Sequence, residues 1–255
     1  MSTSEQITVN SLQANSFGGL SEIERVTKRT RRHYVVRGKE LPSVTTVLKV
    51  WPKPALYNWY AKRGREAMAE YLSDYLGEPI SPGLLEDAVA AAKIAPRRDA
   101  QEAADLGTMA HQLISIELAG QEVTVPPELD SVMRSFHDWQ RDEHLTLVDS
   151  ETAVYADRYA GTIDALFKRD NGAFLLVDFK TSKKIYSPEY DVQVFGYVDA
   201  ISASLAGSVH IDGQIIRLGK EEPEFEVLEI NNRKDRLGRL WRSALAFHAA
   251  LEEAR

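Results

Sequence analysis

The chain contains no cysteine. That excludes disulfides, thiolate metal sites and a cysteine-held iron–sulfur cluster, and it fits a reducing cytoplasm. No apolar run approaches the ~20 residues that a helix needs to cross a bilayer, so no membrane partner is expected. The opening MSTSEQITVNSLQANSFGG has no basic stretch followed by an apolar core, so no signal peptide is expected. Its Ser, Asn, Gln and Gly content suggests a flexible arm over residues 1–24. There is no internal repeat, and none of the histidines forms H-E-x-x-H.

What is present is ordinary in amount and uneven in distribution. The 255 residues can bury one good-sized core or two small ones, and 44% hydrophobic with 27% charged residues is usual for a globular protein. The formal net charge is −7, yet Arg25 to Arg65 carries twelve Lys/Arg against one acid, Glu40. That segment is therefore +11 and the remainder −18. Such asymmetry is compatible with a polyanion site on a repelling body, or with a solvated basic surface.

Periodicity gives the coarse order of elements. RHYVVR, 32–37, reads as a short strand, and Ser43 as the cap of a short helix. Pro54 opens a helix to about Leu76, and further helices are expected over 83–94, 98–119 and 127–144. ETAVYA, GTIDALFK and AFLLVDFK read as three consecutive strands. A helix follows from Pro188, then two strands, SVHIDGQIIRL and EFEVLEI, and a closing amphipathic helix over 232–254. The expected class is α/β in the mixed α+β sense: a mixed central sheet flanked by helices, preceded by a helical N-terminal region. The expected divisions are the arm 1–24, a basic and mainly helical region 25–97, and a core 98–255.

The third strand poses a chemical problem. In GAFLLVDFKTSKK, Phe174 to Val177 are apolar on both faces, yet Asp178 and Lys180 follow on one face at spacing i, i+2. A buried charge is costly without a partner. The preceding strand carries Asp164. A two-residue Asn171-Gly172 turn, the commoner hairpin, sets Asp164 opposite Phe179. A three-residue loop, Asp170-Asn171-Gly172, sets Asp164 opposite Asp178. Two carboxylates so placed repel unless a cation lies between them. A hard divalent ion fits that role, and Lys180 would face the same site. The alternative is an Asp–Lys pair at a sheet edge.

Asp164 in GTID, DFK at 178–180 and QVFGY at 193–197, in this order, resemble the PD-(D/E)xK nuclease superfamily in its RecB-like exonuclease branch. LGTMAH, ending at His111, is similar to that branch's upstream histidine motif, and PSVTTVLKVWPKPAL resembles phage-encoded and mitochondrial genome-maintenance members. The resemblance covers about residues 40–200. It implies a restriction-endonuclease-like core and a catalytic Lys180 acting with Asp178 and Asp164. It also implies Mg²⁺ or Mn²⁺ held by His111, Asp164, Asp178 and the Phe179 carbonyl, with Gln193 and Tyr197 lining the DNA-facing side. Some relatives hold an iron–sulfur cluster with four cysteines, which this chain cannot. A lone helical histidine is otherwise more often structural, and Glu151 is a further candidate ligand, directly or through water.

The basic segment interleaves Trp51, Tyr57, Trp59 and Tyr60 with Lys53, Lys62, Arg63 and Arg65, the pairing of stacking faces and cations that suits single strands. Core packing of some of these aromatics is the plainer alternative. The expected function is a metal-dependent deoxyribonuclease, an exonuclease on single-stranded DNA or duplex ends, working in replication, recombination or repair. A recombinase or single-strand-binding protein is the expected protein partner. The rival readings are a catalytically inactive DNA-binding partner of the same fold and a small-substrate phosphohydrolase.

Overall fold

The computed structural model describes residues 8–12, 23–28, 31–204 and 209–254. The chain forms two compact units, Met1–Trp51 with Ala110–Arg255, and Pro52–Met109.

The first unit opens with an antiparallel meander in the order β1 (Thr8–Leu12), β2 (Ile23–Lys28), β3 (Arg31–Val36) and β4 (Lys39–Pro42). Val36 pairs with Lys39 across the two-residue turn Arg37-Gly38, and both turn residues have positive φ, as the twist of a tight hairpin requires. Strand β1 lies where an arm was expected; residues 1–7 and 13–22 of that arm lie outside the described residues. Ser43 caps α1 (Val44–Val47), its hydroxyl accepting the Thr46 N–H at 2.9 Å.

The second unit consists of α2 (Pro54–Ser73) and the first part of α3 (Pro82–Leu118). Two helices separated near Pro96 were expected, and the structure has one continuous helix with Pro96 inside it. An interior proline removes one hydrogen bond and crowds the preceding turn. Here tertiary contacts outweigh that cost: α2 comes so close at Gly64 that an added Cβ would stand 3.0 Å from the Ala92 carbonyl oxygen, and Arg63 Nε donates to Asp99 Oδ2 at 2.5 Å. The expected boundary at 97/98 falls within this helix, whose residues from Ala110 belong to the first unit.

The rest of the first unit is α4 (Asp130–Asp142), β5 (Leu145–Ala156), β6 (Tyr159–Arg169), β7 (Phe174–Lys180), α5 (Glu189–Ser204), β8 (Ile211–Leu218), β9 (Phe225–Glu229) and α6 (Lys234–Glu253). The strands form one five-stranded mixed sheet in the order β5-β6-β7-β8-β9. The β7–β8 pair is parallel, with α5 as the crossover, and the other pairs are antiparallel. A mixed sheet flanked by helices is the class that the order of periodicities predicts.

Both faces of β7 are covered, which explains its unbroken apolar run. Leu176, with Leu166 and Ile215, packs under Val192, Val194 and Val198 of α5 and Trp241 of α6. On the opposite face Trp139 of α4 meets Phe179 and Phe167 edge-on at 5.4 and 5.9 Å, and Phe136 meets Phe179 at 5.6 Å. Among the described residues no helix is long and apolar enough to cross a membrane.

Candidate metal centre

The register of β6 on β7 decides whether the two aspartates can meet. Lys168 pairs with Phe174, Leu166 with Leu176 and Ala165 with Val177. Arg169 N–H donates to Ala173 O, and Gly172 N–H to Arg169 O, both at 2.9 Å. Gly172 has φ +84°, a region open to glycine at little cost. The loop is therefore Asp170-Asn171-Gly172, with the Asn171 side chain accepting Ala173 N–H at 3.0 Å. The commoner two-residue turn is not used. Ladder pairing stops after Ala165–Val177, and Asp164 and Asp178 occupy the next positions of that register. There Asp164 Oδ2 instead accepts the Phe179 N–H at 2.8 Å.

Around Asp164 three side chains converge. His111, on the part of α3 that belongs to the first unit, places Nδ1 3.1 Å from Asp164 Oδ1. Glu151 lies in mid-strand on β5, between Ser150, which pairs with Ala165, and Thr152, which pairs with Ile163, and so lies across from Asp164. One ligand atom each from His111, Glu151 and Asp164 lies within 4.8 Å of the others. Glu151 has φ +49°, a left-handed conformation that costs a side-chain-bearing residue of order 1–3 kcal/mol. Neighbouring bonds hold that bend: Asp149 Oδ1 accepts Ser150 N–H at 2.9 Å and the Thr152 hydroxyl at 2.5 Å.

Asp178 stands beside this group. It is 2% exposed, and its Oδ1 accepts the Gln193 amide at 3.1 Å. Its Oδ2 lies 2.5 Å from Lys180 Nζ, a buried ion pair. Lys180 in turn lies over the Tyr190 ring, 5.0 Å from its centroid. Gln193 also donates to the Tyr197 hydroxyl at 3.2 Å, so the i, i+4 pair on α5 shares a face toward the site, as its spacing predicts.

Charge states follow from these contacts. Burial drives the Asp178 carboxyl up to about 6, and the neighbouring Asp164 charge adds to this against the pull of Lys180. Burial also acts to raise Asp164, but His111, Lys180 and the Phe179 N–H outweigh it and hold that carboxyl below the ordinary range. For His111 burial opposes charge, and Asp164 reverses the balance, raising the imidazole above its usual value. Lys180 is likewise raised: desolvation opposes its charge, while Asp178 and Asp164 favour it. Burial and the two carboxylates push the Tyr197 phenol far up, so it stays protonated.

The sequence candidates thus divide. His111, Glu151, Asp164, Asp178, Lys180, Gln193 and Tyr197 come together in the first unit. Phe179 touches the site through its N–H to Asp164. Trp51 packs half-buried against the main core of the same unit. Lys53, Lys62, Arg63 and Arg65 belong to the second unit. There Lys62 lies 3.6 Å from Glu66, and Arg63 pairs with both Asp99 and Glu70. Sequence reasoning passed over Tyr190. Its signal was its position on the Gln193–Tyr197 face of α5, at i, i+3 and i+7.

The chain matches no family model, and no curated protein matches its sequence. Among solved structures it is similar to the protein SSO0001, at 18% identity and a TM-score of 0.33, over 80% of this chain and 84% of that one. It is also similar to an alkaline exonuclease (LHK-Exo) from Laribacter hongkongensis, at 15% identity and a TM-score of 0.36, over 78% of this chain and 93% of that one. Similarity at this level says nothing of chemistry, which the residues themselves must carry.

Proposed function

We propose that this chain is a metal-dependent deoxyribonuclease, acting as an exonuclease on single-stranded DNA or DNA ends. The observation that carries the reading is the convergence of His111, Glu151 and Asp164 beside a buried Asp178–Lys180 pair at the end of a core strand. The donors suit a hard divalent cation: one imidazole and the carboxylates of Glu151 and Asp164, with the buried Asp178 carboxylate beside them. His111, Glu151 and Asp164 would hold Mg²⁺ or Mn²⁺, with Asp178 and the Phe179 carbonyl completing the set. Such an ion supplies Lewis-acid polarisation of a phosphate oxygen and an acidified water.

The remaining work falls to the chain's own groups. Lys180 stays an ammonium and can turn from Asp178 to a phosphoryl oxygen, where its charge offsets the charge that builds up during cleavage. Gln193 keeps Asp178 oriented while Lys180 moves, because it holds the other carboxylate oxygen. Tyr190 limits where the ammonium can go. The site is partly closed from water, which strengthens each of these interactions. Lys53, Lys62 and Arg65 would contact the DNA backbone, while Arg63, tied to Asp99 and Glu70, supports the helices that carry them. By resemblance to the PD-(D/E)xK superfamily the products would carry 5′-phosphates, and the setting would be DNA replication, recombination or repair.

End-labelled single strands, duplexes and free nucleotides, each incubated with Mg²⁺ or Mn²⁺ and with EDTA, test the reading. Metal-dependent shortening of DNA with nucleotides untouched is the expected result. DNA binding without cleavage would favour the inactive binding partner, and phosphate release from nucleotides the small-substrate hydrolase.

A further inference from the structure

A second concave site lies in the first unit, away from the metal centre. It is a cleft of about 710 Å³ at the tip of the β5–β6 hairpin, backed by α5 and α6. That volume lies within the ~300–1,000 Å³ usual for small-ligand sites. Asp164 lies five residue steps along β6 from Tyr159, which lines the cleft, a span of roughly 17 Å at about 3.4 Å per residue. One nucleotide cannot touch both places.

The lining combines two chemistries. Trp241 is buried and braced edge-on by Tyr159, with ring centroids 4.7 Å apart at 87°. Tyr155 and Phe195 are half-buried, so each leaves ring surface in the cleft. Around these aromatics stand exposed guanidinium groups, Arg158 on the hairpin tip and Arg242 on α6. Arg217 and Arg233 are tied into ion pairs, whereas Arg158 and Arg242 have none among the described residues. The Asp199 carboxylate in the cleft is engaged by the Tyr159 hydroxyl at 2.6 Å, which holds this negative charge against the wall.

We infer that this cleft binds a stretch of single-stranded nucleic acid, with bases against Tyr155 and Phe195 and phosphates on Arg158 and Arg242. Stackable rings beside unpaired cations form the general means of holding a single strand without reading its sequence. The inference rests on the nuclease reading for its choice of ligand, and it adds a strand contact remote from the reacting phosphate. It also gives a role to two arginines outside the Arg25–Arg65 segment, whose Arg37 lines the same cleft.

The test is binding, measured on the full chain in EDTA so that no cleavage occurs. Fluorescence anisotropy with a labelled twenty-nucleotide single strand is read across a salt series for wild type and for Arg158→Gln/Arg242→Gln. The variant should bind about ten-fold more weakly. Its slope of log affinity against log salt should fall by roughly 1.4, since each lost phosphate contact on a single strand removes about 0.7. Tyr155→Leu/Phe195→Leu should weaken binding of that strand more than binding of an abasic strand of equal length. Equal affinity and slope in wild type and the arginine variant overturn the inference, as does tight binding of a free mononucleotide that the strand does not displace. Both arginines are exposed, so the substitutions leave the core intact, which circular dichroism checks. A wild type that binds through the cleft but never cuts DNA would sink the nuclease reading alone. A wild type that cuts, with the variant binding equally well, would sink this inference alone.

Discussion

Lys180 Nζ lies 2.5 Å from Asp178 Oδ2, two residues back along the same buried strand. This pair lets β7 end in charges beneath α5: each offsets part of the cost of burying the other, although burial still raises the Asp178 carboxyl. It is also an exchangeable arrangement. The ammonium occupies the side of Asp178 where a cation or a phosphate oxygen would compete for one partner or the other.

Lys180→Ala should reduce DNA cleavage by on the order of 10²–10³-fold, the cost of losing one preorganised charge at a reacting phosphate. Strand binding should persist, because phosphate contacts elsewhere carry most of the affinity. Single-turnover cleavage and anisotropy on the same preparation check this. Activity within a few-fold of wild type would remove Lys180 from the site. Because the substitution leaves Asp178 buried without its counter-charge, the melting temperature is recorded beside the rate.

Mg²⁺ or Mn²⁺ should raise the melting temperature, since an ion bound only by the folded state stabilises it by about 2.7 kcal/mol at a hundred-fold excess over Kd. Glu151→Gln and Asp164→Asn should each shrink that shift. Asp164→Asn should also lower the metal-free melting temperature, because His111 loses the carboxylate that holds its charge. Calorimetric scans with and without metal decide the point. An undiminished shift in Glu151→Gln would exclude that residue as a ligand.

The metal-free protein should lose stability as pH rises from about 4 toward 7. The folded Asp178 carboxyl titrates near 6, above the ~3.9 of an unfolded chain, so the folded state binds this proton more tightly. Its contribution is complete below the unfolded value and is lost as pH passes through the folded one, at most about 3 kcal/mol for two units. His111, also raised, loses its contribution in the same direction at higher pH. Asp164, held low, acts oppositely and only at acid pH, its stability disappearing as pH falls through the folded value. Urea melts from pH 4 to 8 should show Asp178→Asn with a shallower slope than wild type. Parallel profiles would mean that Asp178 does not titrate in this range.

Gly161→Ala should impair the site without touching it. A Cβ at residue 161 would collide with Tyr197 Cε1, and Val44 Cγ2 stands 3.4 Å away on another side. Displacing Tyr197 disturbs Gln193, which links its hydroxyl to Asp178. Overpacking of this kind costs about 1–3 kcal/mol. The expected outcome is a lower melting temperature together with a lower kcat, whereas Gly172→Ala, in open space but at φ +84°, should lower stability alone. Equal kcat in Gly161→Ala and wild type would uncouple Tyr197 from the chemistry.

The sequence by itself determined the parts whose cause is local. Alternation along 174–180 placed Asp178 and Lys180 on one face of a doubly covered strand, because side chains alternate at every residue of a pleated chain. Spacing alone put Gln193 and Tyr197 on one face of α5, and the order of periodicities fixed the mixed class. The turn at Asp170-Asn171-Gly172 was readable only with the chemistry, since the commoner hairpin was equally open to the backbone. Tertiary structure decided the rest. Glu151 reaches Asp164 because β5 runs across from β6 and bends at a positive φ, and no short window of sequence encodes that bend. Helix α3 continues through Pro96 because packing at Gly64 and the Arg63–Asp99 pair outweigh a lost backbone hydrogen bond. Tyr190 meets Lys180 only because α5 folds back over the strand that precedes it, and contacts of that range depend on topology, to which periodicity is blind.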